Sequence, residues 1–428
     1  VDRLGPVPRV FASLTGAQLG GAVFGLVFWT IAARTLIPAQ IGVGASLVAA
    51  MTLFSLFGTL GIGTLLLERF KIISVGERRA LLSTGFSLAA SGGAILAAGW
   101  FVLSAFVHVP GALGGLSLGT ALLLVVATAI ASMCSTFDLA VLGMGAGGLQ
   151  LRRNVLAGAL RVAALSGALA IGLKSGEIIL AAWTVGLLGS LLATPLGRHL
   201  SPRAWVPAAQ RLRIVRTYWT VAIGHHGLTL AITSSSLILP VFVASIMSPT
   251  QVAYYSQARI LGETVLALLY LLTIALFASA ADVDAFRKKA RQTLVLGMAL
   301  ALSIVGGGLL LGQTVLHVFG TNYAEYSYPL LMIILIGGPA VLIKDLFVVL
   351  RRLQGRRTQG ATIMGLWSAA ELAGGVAGGL MGGLTMLCVG AAAMTWVCAL
   401  IVLPVLLTAI RRPPEIRESQ SGSEVQLS

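Results

Sequence analysis

Tyr255, Arg259 and Glu263 stand at intervals of four in a stretch that is otherwise largely apolar. That spacing puts a phenol, a guanidinium and a carboxylate on one face of a helix. Inside a membrane an ionisable residue costs ~2.5–3.5 kcal/mol on insertion scales, so this face must look into protein or water. Two uses are open: a structural ion pair, or an anion contact at Arg259 whose strength Glu263 tunes through protonation. Arg161 has no carboxylate one turn away, so its partner must come from another helix or from a ligand, and it reads as cavity-lining. Lys344 lies near the end of its apolar stretch, where snorkelling to headgroups is the default and a cavity or an acid partner comes second. Arg34 follows the first apolar stretch and reads as an interfacial anchor, with contact to a departing anionic group as the sharper alternative. Together Arg259, Arg161, Glu263, Tyr255, Arg34 and Lys344 are the candidate substrate contacts. Asp138, Glu371 and Glu263 are the candidates for coupling to a proton or sodium ion, although Asp138 or Glu371 could instead neutralise Arg161.

Other polar patterns carry less chemistry. Thr128, Ser132 and Ser135 lead to Asp138 along one face, which argues that this face points inward. His226, Thr229, Thr233 and Ser236 form a second stripe, expected to bond between helices or to line a polar cavity. The His225–His226 pair lacks metal-ligand spacing, and Cys134, Cys388 and Cys398 lie apart in apolar stretches, so neither a metal site nor a disulfide is expected.

These residues need elements that can hold charge inside apolar surroundings. The chain of 428 residues is 57% hydrophobic and 10% charged, which excludes an ordinary soluble protein. A hydropathy reading gives twelve apolar spans. The first six cover residues 10–33, 40–67, 80–107, 116–145, 154–173 and 178–196. The second six cover 218–246, 252–281, 293–319, 329–350, 360–381 and 385–410. Alternating their flanks places 24 of the 29 Lys and Arg on one side. Basic residues are retained in the cytoplasm during insertion, so both termini are expected there. The net charge of +15 therefore reflects topology and anionic lipid contact rather than nucleic-acid binding. The first span is long for a cleaved leader and lacks a following cleavage site, so no signal peptide is expected.

The fold class that follows is an all-α polytopic membrane protein of twelve transmembrane helices in two six-helix lobes. The expected divisions are an N-terminal lobe at 1–196, a basic cytoplasmic linker at 197–217, a C-terminal lobe at 218–410 and a tail at 411–428. Pro38 and Gln40 after the first span match Pro249 and Gln251 after the seventh, which supports two parallel repeats. Gly374 with Gly378 and Gly375 with Gly379 have the small-xxx-small spacing of close helix packing, with a hinge in the eleventh span as the alternative. No Gly-x-x-x-x-Gly-Lys loop is present, which argues against ATP-driven pumping by this chain. No catalytic constellation of His, Asp or Ser is evident, so an enzyme is not expected.

Two blocks carry a family resemblance. Phe28-Trp29-Thr30-Ile31-Ala32-Ala33-Arg34, Pro38-Ala39-Gln40-Ile41-Gly42 and Thr59-Leu60-Gly61-Ile62-Gly63 form the first. Phe319-Gly320-Thr321-Asn322-Tyr323-Ala324-Glu325, running through Pro329-Leu330-Leu331 to Leu353-Gln354-Gly355-Arg356, forms the second. This pattern resembles the polysaccharide and O-antigen type lipid-linked oligosaccharide flippases of the multidrug/oligosaccharidyl-lipid/polysaccharide exporter superfamily. The resemblance implies two lobes that open alternately to each face. It also implies a polyprenyl-pyrophosphate-linked oligosaccharide as cargo, with its lipid tail between the lobes, and a polymerase or glycosyltransferases of polysaccharide assembly as partners. No cofactor is implied beyond coupling to protons, sodium or the membrane potential. The alternatives are a cation-coupled drug exporter of the same superfamily, in which the acids lead, and a membrane-embedded enzyme or scaffold of envelope assembly.

Overall fold

The computed structural model describes residues 23–70, 73–194, 207–279, 283–354 and 356–411, all helix and connecting turns, with no strand among them. In the first half the helices are α1 (Val23–Thr35), α2 (Pro38–Gly58), α3 (Ile62–Arg69), α4 (Val75–Phe106), α5 (Leu118–Gly143), α6 (Gly147–Ala170) and α7 (Glu177–Leu192). In the second half they are α8 (Ala208–Ile246), α9 (Pro249–Ser279), α10 (Val283–His317), α11 (Thr321–Tyr326), α12 (Tyr328–Ile336), α13 (Gly338–Leu353) and α14 (Arg357–Arg411). Seven helices among the described residues are long and apolar enough to cross a membrane, or eight if the bent α8 is one span. The N-terminal part of the first expected span, the start of the expected linker and the expected tail past Arg411 lie outside the described residues. Helix α8 begins inside the stretch expected to be linker.

Three expected spans are interrupted. The second breaks between α2 and α3, where Leu60 and Gly61 take left-handed backbone angles of φ +50° and +73°. Hydropathy cannot see this break, because its residues are as apolar as their neighbours. The tenth is divided at Gly337, where the carbonyl of Ile336 accepts a hydrogen bond from Trp396 Nε1 at 3.2 Å. Helix α8 bends by 64° between Arg211–Ala231 and Thr233–Ile246.

Helix α14 turns back on itself at Gly382 and Gly383. Its two legs touch so closely that a Cβ on Gly378 would lie 2.0 Å from the Met386 carbonyl, and one on Gly390 would lie 2.1 Å from that of Gly374. The expected small-residue seam is thus the inner face of a helical hairpin, where missing side chains let backbones approach.

The two halves meet most tightly through α2 and α9. Both helices open on proline at the first position, where its missing N–H costs nothing. In both, a glutamine three residues past the cap accepts from the cap N–H at 3.2 Å: Gln40 from Ile37 and Gln251 from Ser248. The two matched turns lie side by side, and a Cβ on Gly42 would sit only 1.6 Å from the Pro249 carbonyl oxygen. At the same end Gly111 N donates to Ser245 O at 2.8 Å, and the Arg34 guanidinium donates to the His317 and Val318 carbonyls at 2.7 Å each. Arg34 therefore binds the negative end of α10 across the halves.

At the opposite end the first leg of α8 leaves the second half and packs on the first. Ala222 enters a small core formed by α3, α4 and α5, with Ile214 and Tyr218 against it. Gly61, at the helix break, faces the Ala222 carbonyl across 2.0 Å of what would be Cβ space.

Candidate functional site

A cavity of ≈ 580 Å³ opens in the second half between α8, α9, α12, α13 and α14. Its charged lining is Arg259 and Glu263 from α9, Lys344 and Asp345 from α13, and Glu371 from α14. Tyr255, four residues before Arg259, and Tyr270, seven after Glu263, complete the α9 face. Neighbouring cavities continue from it in two directions. One of ≈ 130 Å³ shares Tyr270, Lys344 and Asp345 and reaches Met364 and Trp367. The other, of ≈ 180 Å³, shares Arg259 and lies between the halves against Trp29 and Trp183.

Arg259 is fixed by two contacts. Its Nε donates to Glu263 Oε1 at 2.7 Å, and Nη2 donates to the Ser236 carbonyl at 2.9 Å. Ser236 offers that carbonyl because Pro240, four residues on, has no N–H to return to it. The pairing with Glu263 was visible as a spacing. The pairing with Ser236 needed only the combination of a proline and the carbonyl one turn before it, but from a helix whose neighbour was unknown.

Glu371 is held differently. Oε2 accepts from Ser235 Oγ at 2.6 Å, while Oε1 accepts from Trp367 Nε1 at 3.0 Å and from Thr395 Oγ1 at 2.8 Å. Among the described residues no cation pairs with it. Trp367 lies one turn before Glu371 and was legible as a same-face neighbour; Ser235 and Thr395 come from α8 and from the returning leg of α14, which sequence spacing cannot supply.

The remaining candidates lie elsewhere. Asp138 is clasped by Arg153, with Nε at 2.8 Å from Oδ1 and Nη2 at 2.6 Å from Oδ2. Arg153 is buried and also donates to Asn154 Oδ1 at 2.7 Å and to Ser190 Oγ at 3.3 Å. Asp138 therefore neutralises Arg153 and not Arg161. Charge placement had counted Arg153 among the basic caps of the spans, which concealed its role. Arg161 stacks over the Trp183 ring at 4.1 Å from the centroid, and its Nε lies 3.4 Å from the Ala157 carbonyl of its own helix. It does not border the large cavity; Trp183 stands between it and the cavity joining the halves. Lys344 faces the cavity instead of merely reaching for headgroups, and the adjacent Asp345 faces it too. Arg34 is remote from the cavity, at the clasp described above.

The histidine and hydroxyl stripe of α8 is mostly self-satisfied. Thr229, Thr233 and Ser236 donate to the carbonyls of His225, Thr229 and Thr233 in their own helix. No group of three or more His, Cys, Asp or Glu able to hold a metal occurs among the described residues, and Cys134, Cys388 and Cys398 are free thiols.

The sequence matches no protein-family model and no curated protein. Solved structures share its fold across nearly the whole chain. An inward-facing multidrug resistance MATE family transporter of the MOP superfamily superposes with a TM-score of 0.65 at 14% identity, covering 93% of this chain and 94% of its own. A MOP superfamily transporter from Pyrococcus furiosus, described by the reversed polarity of its binding pocket, gives 0.63 at 13% identity, covering 95% and 97%. A variant of a Vibrio cholerae MATE transporter gives 0.63 at 15% identity with the same coverage. The fold of this chain is similar to that of solved MATE family transporters.

Proposed function

We propose that the chain is an alternating-access exporter whose cargo occupies the C-terminal cavity. The observation that carries this reading is the convergence of Arg259, Glu263, Lys344, Asp345 and Glu371, from three helices, on one cavity inside an apolar bundle. Charges this costly to place in a membrane mark substrate or ion pathways. In this reading the chain has twelve spans in two lobes, 1–196 and 218–410, related as parallel repeats and joined through the 197–217 stretch. The likeness of the Pro38 and Pro249 turns supports the repeat.

The cargo best suited to the site is a drug-sized amphiphile carrying positive charge, and the transport is cation-coupled. At ≈ 580 Å³ the cavity falls within the range of small-molecule sites, about 300–1,000 Å³. Its acids outnumber its bases, and Arg259 is already neutralised by Glu263. The structural neighbours described as multidrug transporters point the same way. Glu371, which has no cation partner among the described residues, is the acid this reading assigns to coupling.

A second reading keeps the lipid-linked oligosaccharide as cargo. It is supported by the two sequence blocks, and by Arg259 standing where the large cavity meets the one between the halves. There a diphosphate could displace Glu263 while a lipid tail lies against Trp29 and Trp183. Proteoliposomes decide between the two. Uptake of a cationic dye that is lost in Glu371→Gln and kept in Arg259→Ala supports drug export. Flipping of a fluorescent polyprenyl-pyrophosphate oligosaccharide that is lost in Arg259→Ala, without dye uptake, establishes the second reading. Movement of neither by folded protein sinks both.

A further inference from the structure

Helix α8 belongs to both halves. Its second leg lies on α14, where Gly375 leaves room for Leu239. At the bend between the legs, Ser368 Oγ of α14 donates to the Ala231 carbonyl at 3.0 Å, because a break inside the membrane must have its freed backbone groups satisfied by neighbours. The first leg is docked on the first half. The Gly61–Ala222 contact holds it, His225 Nε2 lies 3.0 Å from Glu68 Oε2, and Ile214 and Tyr218 pack on the small core of α3, α4 and α5. Arg211 Nη1 also donates to Ser87 Oγ of α4 at 3.4 Å.

These contacts gather three helix ends, and each brings arginine. Arg69 closes α3, Arg78 and Arg79 lie in the first two turns of α4, and Arg211, Arg213 and Arg216 lie in the first three turns of α8. The acids beside them are engaged: Glu68 faces His225, and Glu77 Oε2 accepts from the Ser74 N–H and hydroxyl at 3.1 and 2.8 Å. Arg69 is the most telling member. Its guanidinium lies 5.7 Å from the Tyr218 ring centroid, within cation–π range, and its Nε is buried. Among the described residues no carboxylate or carbonyl accepts from it. A guanidinium drawn out of water in this way calls for an anionic acceptor.

Arg213 and Arg216 stand on the exposed face of α8, five and two residues before Tyr218, about 8 and 3 Å from it along the helix axis. Trp219 and Ile223 continue that exposed face. Over about 15 Å of helix the order is thus arginine, then indole, then isoleucine. Phosphate, glycerol region and acyl chain follow one another in the same order in a phospholipid lying against the helix.

We propose that this basic collar binds an anionic phospholipid of the leaflet at this end, its phosphate held between Arg69 of the first half and Arg213 and Arg216 of α8, so that the lipid straps the first leg of α8 to the first half. A guanidinium offers paired N–H groups that match two phosphate oxygens. Arginines at a membrane surface gain further from its negative charge. Free phosphate would use the arginines but leave Trp219 and Ile223 uncovered, which favours the lipid. The inference rests on placing the chain in a membrane and on nothing about its cargo.

Native mass spectrometry of the purified chain tests it, with phosphatidylglycerol and phosphatidylcholine supplied in equal amounts. The parent is expected to retain phosphatidylglycerol in preference. Removing one arginine should cut that retention about fivefold and removing two about 30-fold, so Arg69→Gln gives the first and Arg213→Gln with Arg216→Gln the second. The double variant lies on an exposed face and keeps the fold even if Arg69→Gln does not. Arg291→Gln with Arg356→Gln, which removes two exposed arginines from the second half, should leave retention unchanged. In nanodiscs, backbone hydrogen exchange over residues 211–223 should be about fivefold slower with phosphatidylglycerol than with phosphatidylcholine in the parent, and equal in the Arg213→Gln, Arg216→Gln chain. Equal retention of the two lipids, a control variant that loses as much as the double variant, or exchange indifferent to phosphatidylglycerol overturns the proposal. So does displacement of the lipid by millimolar inorganic phosphate, which would make free phosphate the ligand. Retention that appears only after residues 412–428 are removed would assign the collar to that segment instead and equally overturn it.

Discussion

Replacing Gly42 with alanine drives a wedge into the contact where α2 meets α9. The new Cβ would stand 1.6 Å from the Pro249 carbonyl oxygen and 2.4 Å from its carbon. Ordinary non-bonded contact needs ~3.5 Å, so the two backbones must part by about 2 Å at that end. Neither partner is a side chain that can swing aside: Pro249 is the first residue of α9, and its carbonyl is built into the helix. Overpacking of this kind costs ~1–3 kcal/mol. Because the cost falls only on the arrangement in which this end is closed, it becomes a shift of about 5- to 150-fold toward an arrangement in which it is open. Spin labels at exposed Lys174 and Glu325, one in each half, should show a longer distance in Gly42→Ala than in the parent. Gly25→Ala is the control, since nothing lies within 4 Å of its added Cβ. An unchanged distance in a folded Gly42→Ala chain would refute the idea that this contact closes one end of the protein.

Further consequences concern the charges. Arg153→Ala leaves Asp138 largely buried without its partner and should cost ~3–5 kcal/mol, seen as a lower thermal midpoint in detergent; Arg153→Met together with Asp138→Leu should recover most of it. Pro240→Ala supplies an N–H to the Ser236 carbonyl and so removes one acceptor of Arg259. Its expected effect is a stability change under ~1 kcal/mol, as one hydrogen bond replaces another. A guanidinium freed in this way should also bind an anionic amphiphile more tightly, which titration with an alkyl phosphate checks.

Hydropathy was enough to read an all-helical chain, and the Pro-x-Gln echo located the two turns that meet at the contact of the halves. Three parts of the resemblance blocks fall on joints. Pro38 to Gly42 form the α2 start, Thr59 to Gly63 the helix break docked on α8, and Phe319 to Glu325 the turn into α11. None of these residues lines the large cavity, so the pattern speaks for architecture more than for cargo. The site was legible as far as single helices go. The Tyr255, Arg259, Glu263 stripe follows from periodicity, and Trp367 sits one turn from Glu371. What sequence could not give was which helix lies opposite: Ser235 and Thr395 around Glu371, Arg153 at Asp138, and Trp183 under Arg161 are contacts across 15 to 136 residues. The bend of α8 was hidden for the same reason, since its carbonyl is satisfied by Ser368 of a distant helix and not by any local turn signal.

The central claim is that cargo enters the cavity of the second half. It is tested most directly by photo-crosslinking a cationic amphiphile to the purified protein and mapping the modified residues. The account predicts labels on the α9 stripe from Tyr255 to Tyr270, on Val341 to Asp345 of α13, and on Cys388 to Thr395 of α14, competed by excess unlabelled amphiphile. Specific, competed labelling confined to α4, α5 and α6 of the first half would contradict it.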